Sequence, residues 1–537
     1  MSFPFALLAS ALTGWIALSY EIVWARVFSF ASAGRANSFG LLLAAYLLGL
    51  ALGALLSRRL REANDPDGRS NVARVAWIVL VSNLVGALVV PTVAELGTHI
   101  WYRFTYLVVV PAAAALGVAF PLLCHAAVPP DDNAGARTAQ LYVANIVGSV
   151  AGSLSTGFVL MDTLTLVQLS AVLVALGVAL SALLALYSTG GRGARGRQAD
   201  SGSSGRRAGL VVGGAVVIGA GAVFATPWLL DRVWEKLQFG REYPNKSADA
   251  ATALGADARF LDVHESKSGV ITVGQDLRIF GGGVYDGALK TNLEVGGWLV
   301  RPYALSYLHP APKRVLMIGL SGGAWANIIA GNPSVESVTA IEINPGYLDV
   351  IARHSEVAPI LQHPKLQVVM DDGRRWLVRN PDARFDLIVA NTTFHWRSFA
   401  TNLLSVEFQT LVRDHLAPGG VYLYNTTGSR DAAATSASVF PHAMMIINNV
   451  VGSIAPLSLD VPRWRAALEG TTLRGAPAFP AEDRAARAAL EWLLATPAHT
   501  NRPDPVLGEV VFRDRAGLLE WAAGGRVITD DNMISEW

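Results

Sequence analysis

The chain has 537 residues, of which 52% are hydrophobic and only 16% are charged, and its formal net charge is +1. Soluble proteins usually carry about 25% charged residues, so this composition indicates a membrane part. The near-zero net charge argues against a nucleic-acid-binding protein, and the single cysteine, Cys124, excludes a disulfide framework and a cysteine-based zinc site.

The excess of apolar residues lies in residues 1–228, in runs that are each long enough to cross about 30 Å of hydrocarbon as a helix. The seven predicted spans are 3–24, 37–57, 75–93, 102–128, 138–160, 164–187 and 209–228. The first run lacks a basic leader and a convincing cleavage site, so we interpret it as a span and not as a signal peptide. Pro111 and Pro121 predict a kink in the fourth run.

Small residues recur in these spans with the spacing that lets helices approach closely. The two clearest pairs are Gly49 with Gly53 and Gly148 with Gly152. Ordinary packing of the helical bundle is the simpler interpretation, and a transport path lined by the same helices is the alternative. For Asn145, in the fifth span, we expect an interhelical hydrogen bond and not a ligand contact.

Glu21 lies in an apolar helix beside Tyr20 and Trp24, where a carboxylate is costly. Two roles are open for it. One is structural, with Glu21 at the membrane interface or paired with Arg26 or with another helix. The other is a role in binding a substrate or a proton.

Arginine-rich stretches follow the second and the sixth predicted spans, at 58–74 and 188–208. An excess of Lys and Arg in short loops marks the cytoplasmic side, which predicts a multi-pass protein of the plasma (inner) membrane with both stretches in the cytoplasm. Seven spans then place residues 229–537 outside. A cytoplasmic nucleotide-like cofactor requires the opposite side, so the side of the soluble part is open.

The soluble part begins near residue 229, and short alternating runs in 258–290 predict a small β-subdomain. From residue 313 apolar strands alternate with helices, which predicts a doubly wound α/β sheet with its ligand at the carboxyl ends of the strands. The predicted strands are 315–318, 338–341, 366–370, 385–390 and 421–424. The predicted domains are a transmembrane part (1–228), a connector with the β-subdomain (229–312), the α/β domain (313–430) and a helical or mixed extension (431–537).

Small and polar residues follow each of the first four predicted strands, so they are expected to meet at one edge of the sheet. They are Gly319, Ser321, Gly322 and Gly323 after the first strand, Glu342 after the second, Asp372 and Gly373 after the third, and Asn391 and Thr392 after the fourth. Glycines let the backbone approach a ligand, and an acid at the end of the second strand can bind two ribose hydroxyls. Two simpler roles are open: Glu342 as a solvated strand end and Asp372 as a helix N-cap.

The segment after the fourth strand, 392–397, is rich in functional side chains. His395 is a candidate general acid or base near neutral pH, and Trp396 or Phe394 can stack on an apolar or cationic group. A rigid aromatic loop that closes the edge of the sheet is the alternative. No pair of histidines shows a metal-ligand spacing, so we predict no metal.

Residues 258–430 resemble spermidine synthases, the polyamine aminopropyltransferases, which have a class I methyltransferase-like, Rossmann-like fold. The N-terminal half resembles the membrane part of the fused, multi-span spermidine-synthase-like proteins. The residues that carry this second resemblance are Gly14, 17–24, 48–53, 120–123, 141–148 and 529–532. The fold implied is an α-helical membrane bundle followed by the α/β domain.

The resemblance implies decarboxylated S-adenosylmethionine, or a related adenosyl ligand, as the donor that an amine attacks. Glu342 would then hold the ribose hydroxyls and Asp372 the adenine side, with the glycine-rich turn and Gly373 completing the donor site. Asn391 and His395 are the candidates for the catalytic positions. The substrate candidates are Tyr285, Asp286, Thr392 and Trp396.

The chain departs from the family at the positions of its acids. Gly322 stands where the family has the acid that binds the donor's amine, and Asn391 stands where it has the catalytic aspartate. Residues 295–297 replace a Tyr-His-Glu segment, and Gly282 falls near the aspartate of a Leu-Asp-Gly element. Carboxylates attract polycations, so most of the expected electrostatic recognition is missing.

The function implied is aminopropyl transfer to an amine with an atypical site. Two alternatives are a catalytically altered binding, sensing or transport-coupled membrane module, and a methyltransferase. The expected partners are the lipid bilayer and a small-molecule amine, with no nucleic acid, and a homo-oligomer is left open.

Overall fold

A computed structural model describes residues 1–60, 69–189, 201–243, 246–391 and 394–532. The chain divides into two compact units, Met1–Val270 and Ile271–Trp537.

The first unit is mainly helical. Its helices are α1 (Phe3–Ala31), α2 (Asn37–Leu60), α3 (Arg69–Gly97), α4 (Val109–Ala127), α5 (Ala134–Ser155), α6 (Met161–Thr163), α7 (Leu166–Thr189), α8 (Ser201–Leu229), α9 (Val233–Phe239) and α10 (Ala248–Leu254). A 3₁₀ turn, Tyr102–Val108, precedes α4, and a π-helical turn, Thr156–Leu160, joins α5 to α6.

Six helical stretches of the described chain are long and apolar enough to cross a membrane. They are Phe3–Ala31, Asn37–Leu60, Ser70–Gly97, Tyr102–Ala127, Ala134–Thr163 and Leu166–Ser188, which correspond to the first six predicted spans. The seventh predicted span, 209–228, lies in α8. Val217–Leu229 of α8 is apolar, and whether the whole of 209–228 crosses a membrane stays a prediction.

The paired glycines pack helices closely in this unit. A Cβ atom at Gly53 would collide with the carbonyl oxygen of Ala114, which brings α2 against α4. A Cβ atom at Gly148 would collide with the carbonyl oxygen of Ala11, which brings α5 against α1. The predicted close packing is therefore confirmed. The Asn145 amide donates to the Ser10 carbonyl at 3.0 Å, which is the interhelical hydrogen bond expected there.

Glu21 is 8% exposed in α1. Its suggested partner, Arg26, donates instead to the Ser266 carbonyl at 2.5 Å. Within the described residues no hydrogen bond or ion pair to Glu21 is present, so pairing with Arg26 does not occur. Whether Glu21 binds a proton or substrate stays a prediction.

Two sheets lie further along the chain. The first has the strand order β1-β2-β3-β4, formed by β1 (Asp262–Ser266), β2 (Gly269–Val273), β3 (Arg278–Gly281) and β4 (Val284–Ala288), where the small β-subdomain is predicted. The strands of the second are β5 (Arg314–Ile318), β6 (Ser337–Glu342), β7 (Leu366–Met370), β8 (Phe385–Ala390), β9 (Leu416–Asn425), β10 (His442–Ile446) and β11 (Asn449–Ser453), with β14 (Phe512–Arg513) at one edge. A separate hairpin joins β12 (Thr472–Leu473) to β13 (Ala476–Pro477).

The second sheet has the order β14-β10-β11-β9-β8-β5-β6-β7. Strands β5 to β9 are parallel, and β11 is antiparallel to both β9 and β10. This arrangement confirms the predicted α/β, class I methyltransferase-like fold and all five predicted strands. The region after residue 430 also supplies β10, β11 and β14, which sequence patterns did not place.

Helices cover both faces of this sheet. They are α11 (Val300–Tyr303), α12 (Leu305–Leu308), α13 (Ala324–Gly331), α14 (Gly346–Arg353), α15 (Gly373–Arg379), α16 (Val406–Asp414), α17 (Arg430–Val439), α18 (Val461–Glu469), α19 (Arg484–Ala495) and α20 (Arg515–Trp521). Alternate residues of β5 enter two cores: Val315 and Met317 pack on one face, and Leu316 and Ile318 on the other. Burial on both faces explains why β5 is a continuous apolar run.

The position of β5 fixes where a ligand can bind. After β5 the chain continues to β6 on one side, whereas β8 lies on the other side. Connections therefore diverge at the carboxyl ends of β5 and β8, and open α/β sheets bind ligands in the crevice at such a point.

Candidate functional site

The turn after β5 has the backbone geometry of a close-approach loop. Gly319, Ser321 and Gly323 have φ angles of +88°, +50° and +76°. A Cβ atom at Gly319 would lie 2.6 Å from the carbonyl oxygen of Asn391, so only glycine fits between the ends of β5 and β8. The turn at 319–323 therefore brings bare backbone to the crevice.

Glu342, at the end of β6, is buried against this turn. One carboxylate oxygen accepts from the backbone N–H groups of Leu320 at 2.8 Å and Ser321 at 3.4 Å. The other oxygen accepts from the backbone N–H of Asn344 at 2.8 Å. Glu342 is therefore not a solvated strand end, because it fixes the glycine-rich turn. A carboxylate has about four acceptor sites, so capacity remains for a ligand hydroxyl.

Asp286 of β4 joins the same group. The Tyr347 hydroxyl donates to its carboxylate at 2.5 Å, and the Ser321 hydroxyl donates to its backbone carbonyl at 2.7 Å. Burial raises the pKa of Asp286. The hydrogen bond from Tyr347 and the positive charge of Arg397 lower this pKa, each by less than burial raises it. Burial also raises the pKa of Glu342, and the negative charge of Asp286 adds to that rise. Two buried carboxylates thus share one region.

The residues after β7 cap a helix. Asp372 accepts from the backbone N–H of Arg375 at 2.8 Å at the start of α15, which confirms the N-cap role considered for it. Asp371 forms an ion pair with Arg375. Gly373 lies so close to β5 that a Cβ atom there would be 2.6 Å from Ile318 Cγ2. A role for Asp372 in holding adenine stays a prediction.

The segment after β8 is only partly described. Thr392, a predicted substrate residue, lies outside the described residues. The His395 ring Nδ1 lies 2.9 Å from the Thr427 hydroxyl, and the rings of Phe394 and Trp396 are 5.4 Å apart. These contacts tie the segment to the loop after β9 and show the aromatic pairing of the simpler interpretation. These contacts do not test a catalytic role for His395, which stays a prediction.

A cavity of about 950 Å³ opens beside these residues. Six of the predicted site residues line it: Tyr285, Asp286, Ser321, Gly322, Gly323 and Asn391. Among the described residues, the predicted positions outside its wall are Gly319, Glu342, Asp372, Gly373, His395 and Trp396. The cavity therefore brings the strand ends after β5 and β8 together with β4, and Glu342 joins this group through its hydrogen bonds to the turn at 319–323. In the described ranges, no group of three or more His, Cys, Asp or Glu residues could hold a metal.

The cavity wall also contains residues that the sequence analysis missed. Arg301 and Trp325 come from α11 and α13, Asn448 from the β10–β11 turn, and Lys290 from the segment after β4. Arg301 lies in a region predicted only as connector, and Asn448 is 147 positions away from it. No local pattern connects such residues.

Comparison with known proteins shows what this chain is similar to. The spermine/spermidine synthase domain family matches residues 305–440. Polyamine aminopropyltransferase 2 of Hyperthermus butylicus is 27% identical over 178 residues, which cover 32% of this chain and 55% of the relative. The chain therefore spans about half of that relative's length. A polyamine aminopropyltransferase of Mycobacterium tuberculosis is 24% identical over 491 residues, covering 88% of this chain and 86% of the relative.

Among solved structures, a spermidine synthase in complex with the transition state analogue AdoDATO is 18% identical to this chain. It covers 44% of this chain and 89% of the solved one, with a TM-score of 0.35. A match over 88% of this chain extends beyond the α/β domain, so the mycobacterial relative also matches the N-terminal helices. The family model for spermine/spermidine synthase domains thus matches residues 305–440, and this stretch follows six helices long enough to cross a membrane.

Proposed function

We propose that this protein binds an adenosylated sulfonium in the crevice above β5 and transfers its alkyl group, in the first instance an aminopropyl group, to an amine-type nucleophile. The observation that carries the proposal is the glycine-rich turn at 319–323 fastened to Glu342 beside a cavity of about 950 Å³. A turn of bare backbone suits a nucleoside, and a buried carboxylate with spare acceptor sites suits ribose hydroxyls.

The residues present can support such a reaction mainly by positioning. A sulfonium carbon is already activated, so holding the nucleophile in line supplies much of the rate. The transfer forms a carbon–nitrogen bond, breaks a carbon–sulfur bond and releases a thioether, and the nucleophile loses one proton. Asn391 cannot accept that proton at neutral pH. Asp286 can, since it lines the cavity and burial raises its pKa toward the working range of a general base.

A second candidate is a catalytically altered binding or sensing module. The observation in its favour is that Asn391 lies on the cavity wall at the position of the family's catalytic aspartate. An amide therefore stands where that aspartate would be. A site of this kind would still bind a thioadenosyl ligand but would release no product.

The first unit is proposed to anchor the protein in a bilayer. Large apolar side chains are exposed on the faces of its helices, among them Leu52 (47%), Leu55 (59%) and Val147 (61%). Apolar patches of this kind are rare on soluble monomers and suit contact with lipid.

The test uses the full-length protein purified in detergent. It is incubated with decarboxylated S-adenosylmethionine or with S-adenosylmethionine and a panel of amines, and products are identified by mass spectrometry. Release of 5′-methylthioadenosine with an alkylated amine supports the transferase. Methylated product and S-adenosylhomocysteine would indicate a methyltransferase instead. Ligand binding without any product would favour the altered binding module.

A further inference from the structure

Arg301 is a charged group on the cavity wall, and no carboxylate of the described residues forms an ion pair with it. Its guanidinium contacts amide and carbonyl oxygens: Nη1 donates to Asn448 at 2.8 Å and to Asn449 at 3.3 Å, and Nε donates to the Trp298 carbonyl at 3.2 Å. Within the described residues, Nη2 donates no hydrogen bond. Burial lowers the pKa of Arg301 to about 10, so it remains a cation at neutral pH.

The surroundings hold this guanidinium in one place. Its central carbon lies 5.2 Å from the ring centre of Trp325, the second residue of α13, directly after the glycine-rich turn. A stacked arginine on a cavity wall is pre-organised for a planar anion. Arg301 thus presents a fixed positive charge next to the proposed nucleoside site.

The other charges of the cavity do not cancel it. Arg278 is paired with Asp276 at 2.5 Å. Burial lowers the pKa of Arg513, and the negative charge of Glu509 partly opposes that change. Among the acids on the wall, Asp286 already accepts from Tyr347. The basic residues of the wall are Arg278, Lys290, Arg301 and Arg513, and the acidic ones are Asp286, Glu294 and Glu509. A polycation therefore gains little electrostatic attraction in this cavity, because its basic residues balance its acidic ones.

We propose that Arg301 binds a carboxylate of the ligand, so that one member of the natural substrate pair carries a carboxylate where polyamine synthesis uses donors and acceptors without one. This inference rests on the proposed function, since it concerns the same cavity. The carboxylate has two sources. It belongs to the donor, if S-adenosylmethionine is used without decarboxylation, or to an acceptor that is an amino acid.

Calorimetry with two matched pairs of probes separates these sources. S-adenosylmethionine and its decarboxylated form differ only in the donor's carboxylate. 4-Aminobutanoate and 1,4-diaminobutane, titrated in the presence of saturating 5′-methylthioadenosine, differ mainly in the charge at one end. The proteins are wild type, Arg301→Gln, Arg301→Lys and the control Arg465→Gln, which removes an exposed arginine paired with Glu491 at 2.6 Å.

We expect the carboxylated member of one pair to bind wild type at least tenfold more tightly than its partner. Arg301→Gln should abolish that preference, Arg301→Lys should keep part of it, and Arg465→Gln should keep all of it. The pair that responds identifies the source. Equal binding within both pairs, or a preference for the cationic members, would overturn the inference.

The uncharged ligand 5′-methylthioadenosine separates this inference from the proposed function. If it binds wild type and Arg301→Gln equally well, the variant is folded and the nucleoside site stands, whatever the charge preference shows. If it does not bind wild type at all, the proposed function fails and the inference about Arg301 falls with it.

Discussion

Replacing Glu342 by Gln tests the nucleoside site most sharply, because this residue has two tasks. Its carboxylate holds three backbone N–H groups, those of Leu320, Ser321 and Asn344. A glutamine keeps one oxygen, so its amide nitrogen must face a backbone donor on one side. The substitution also removes the negative charge that would accept hydrogen bonds from the ribose hydroxyls. A hydrogen bond to a charged group is worth about 1.5–3 kcal/mol, and a buried donor left unsatisfied costs about 1–3 kcal/mol.

We therefore expect Glu342→Gln to weaken binding of 5′-methylthioadenosine by about 1–3 kcal/mol, or roughly 5- to 150-fold. Isothermal titration calorimetry on the detergent-purified protein measures this directly. Glu336→Gln is the matched control, since Glu336 precedes β6 at its other end and forms an exposed ion pair with Lys313 at 2.8 Å. Unchanged affinity in a Glu342→Gln protein that still unfolds cooperatively would remove Glu342 from the site.

Acidification should weaken 5′-methylthioadenosine binding to wild type with a midpoint above the ordinary value of about 4.3, because burial raises the pKa of Glu342 and protonation removes an acceptor. Glu342→Gln should show a smaller pH dependence, because only Asp286 of the two buried carboxylates then remains, and parallel curves would refute this. Wild type should form little or no spermidine from putrescine, and Asn391→Asp alone should not restore it; robust wild-type turnover would contradict the argument from missing acids and point to Asp286 or Glu294. Gly53→Ala should lower thermal stability in detergent by about 1–3 kcal/mol, because its Cβ atom meets the backbone of Ala114, whereas Gly40→Ala, with nothing within 4 Å, should not; equal stability would show that α2 and α4 can separate freely. Reporter fusions in the arginine-rich stretches 58–74 and 188–208 should both be active in the cytoplasm; a periplasmic signal from either stretch would contradict the arginine rule, and a cytoplasmic reporter at residue 537 would show that the predicted count of seven spans is wrong.

The elements that sequence predicted well are those whose signal is local. A span needs about 20 apolar residues, and a strand such as β5, buried on both faces, is a continuous apolar run, so both can be read without knowing their neighbours. The hairpin of β10 and β11 gave no such signal. Its turn is formed by Ile447 and Asn448, and Ile447 takes a φ of +57° that β-branched residues rarely adopt. The usual Asn-Gly turn signature is absent from it.

The candidate site also has one part that the sequence predicts and another part that depends on the folded structure. The strand ends from Gly319 to Asn391 follow from the order of strands in an α/β sheet, so they could be placed before the structure was known. The roles of Glu342 and Arg301 depend on contacts across long separations. Glu342 binds the turn 21 and 22 positions before it, and Arg301 depends on Asn448 and Trp325. Only the folded chain brings these groups together.

The central claim is that the turn at 319–323 and Glu342 form a nucleoside site. Electron cryomicroscopy of the full-length protein with 5′-methylthioadenosine tests it most directly. The account predicts density for the ligand in the cavity above β5, with its ribose hydroxyls within hydrogen-bond distance of the Glu342 carboxylate. Ligand density elsewhere in the protein, or an empty crevice at a ligand concentration that saturates binding in solution, would contradict it.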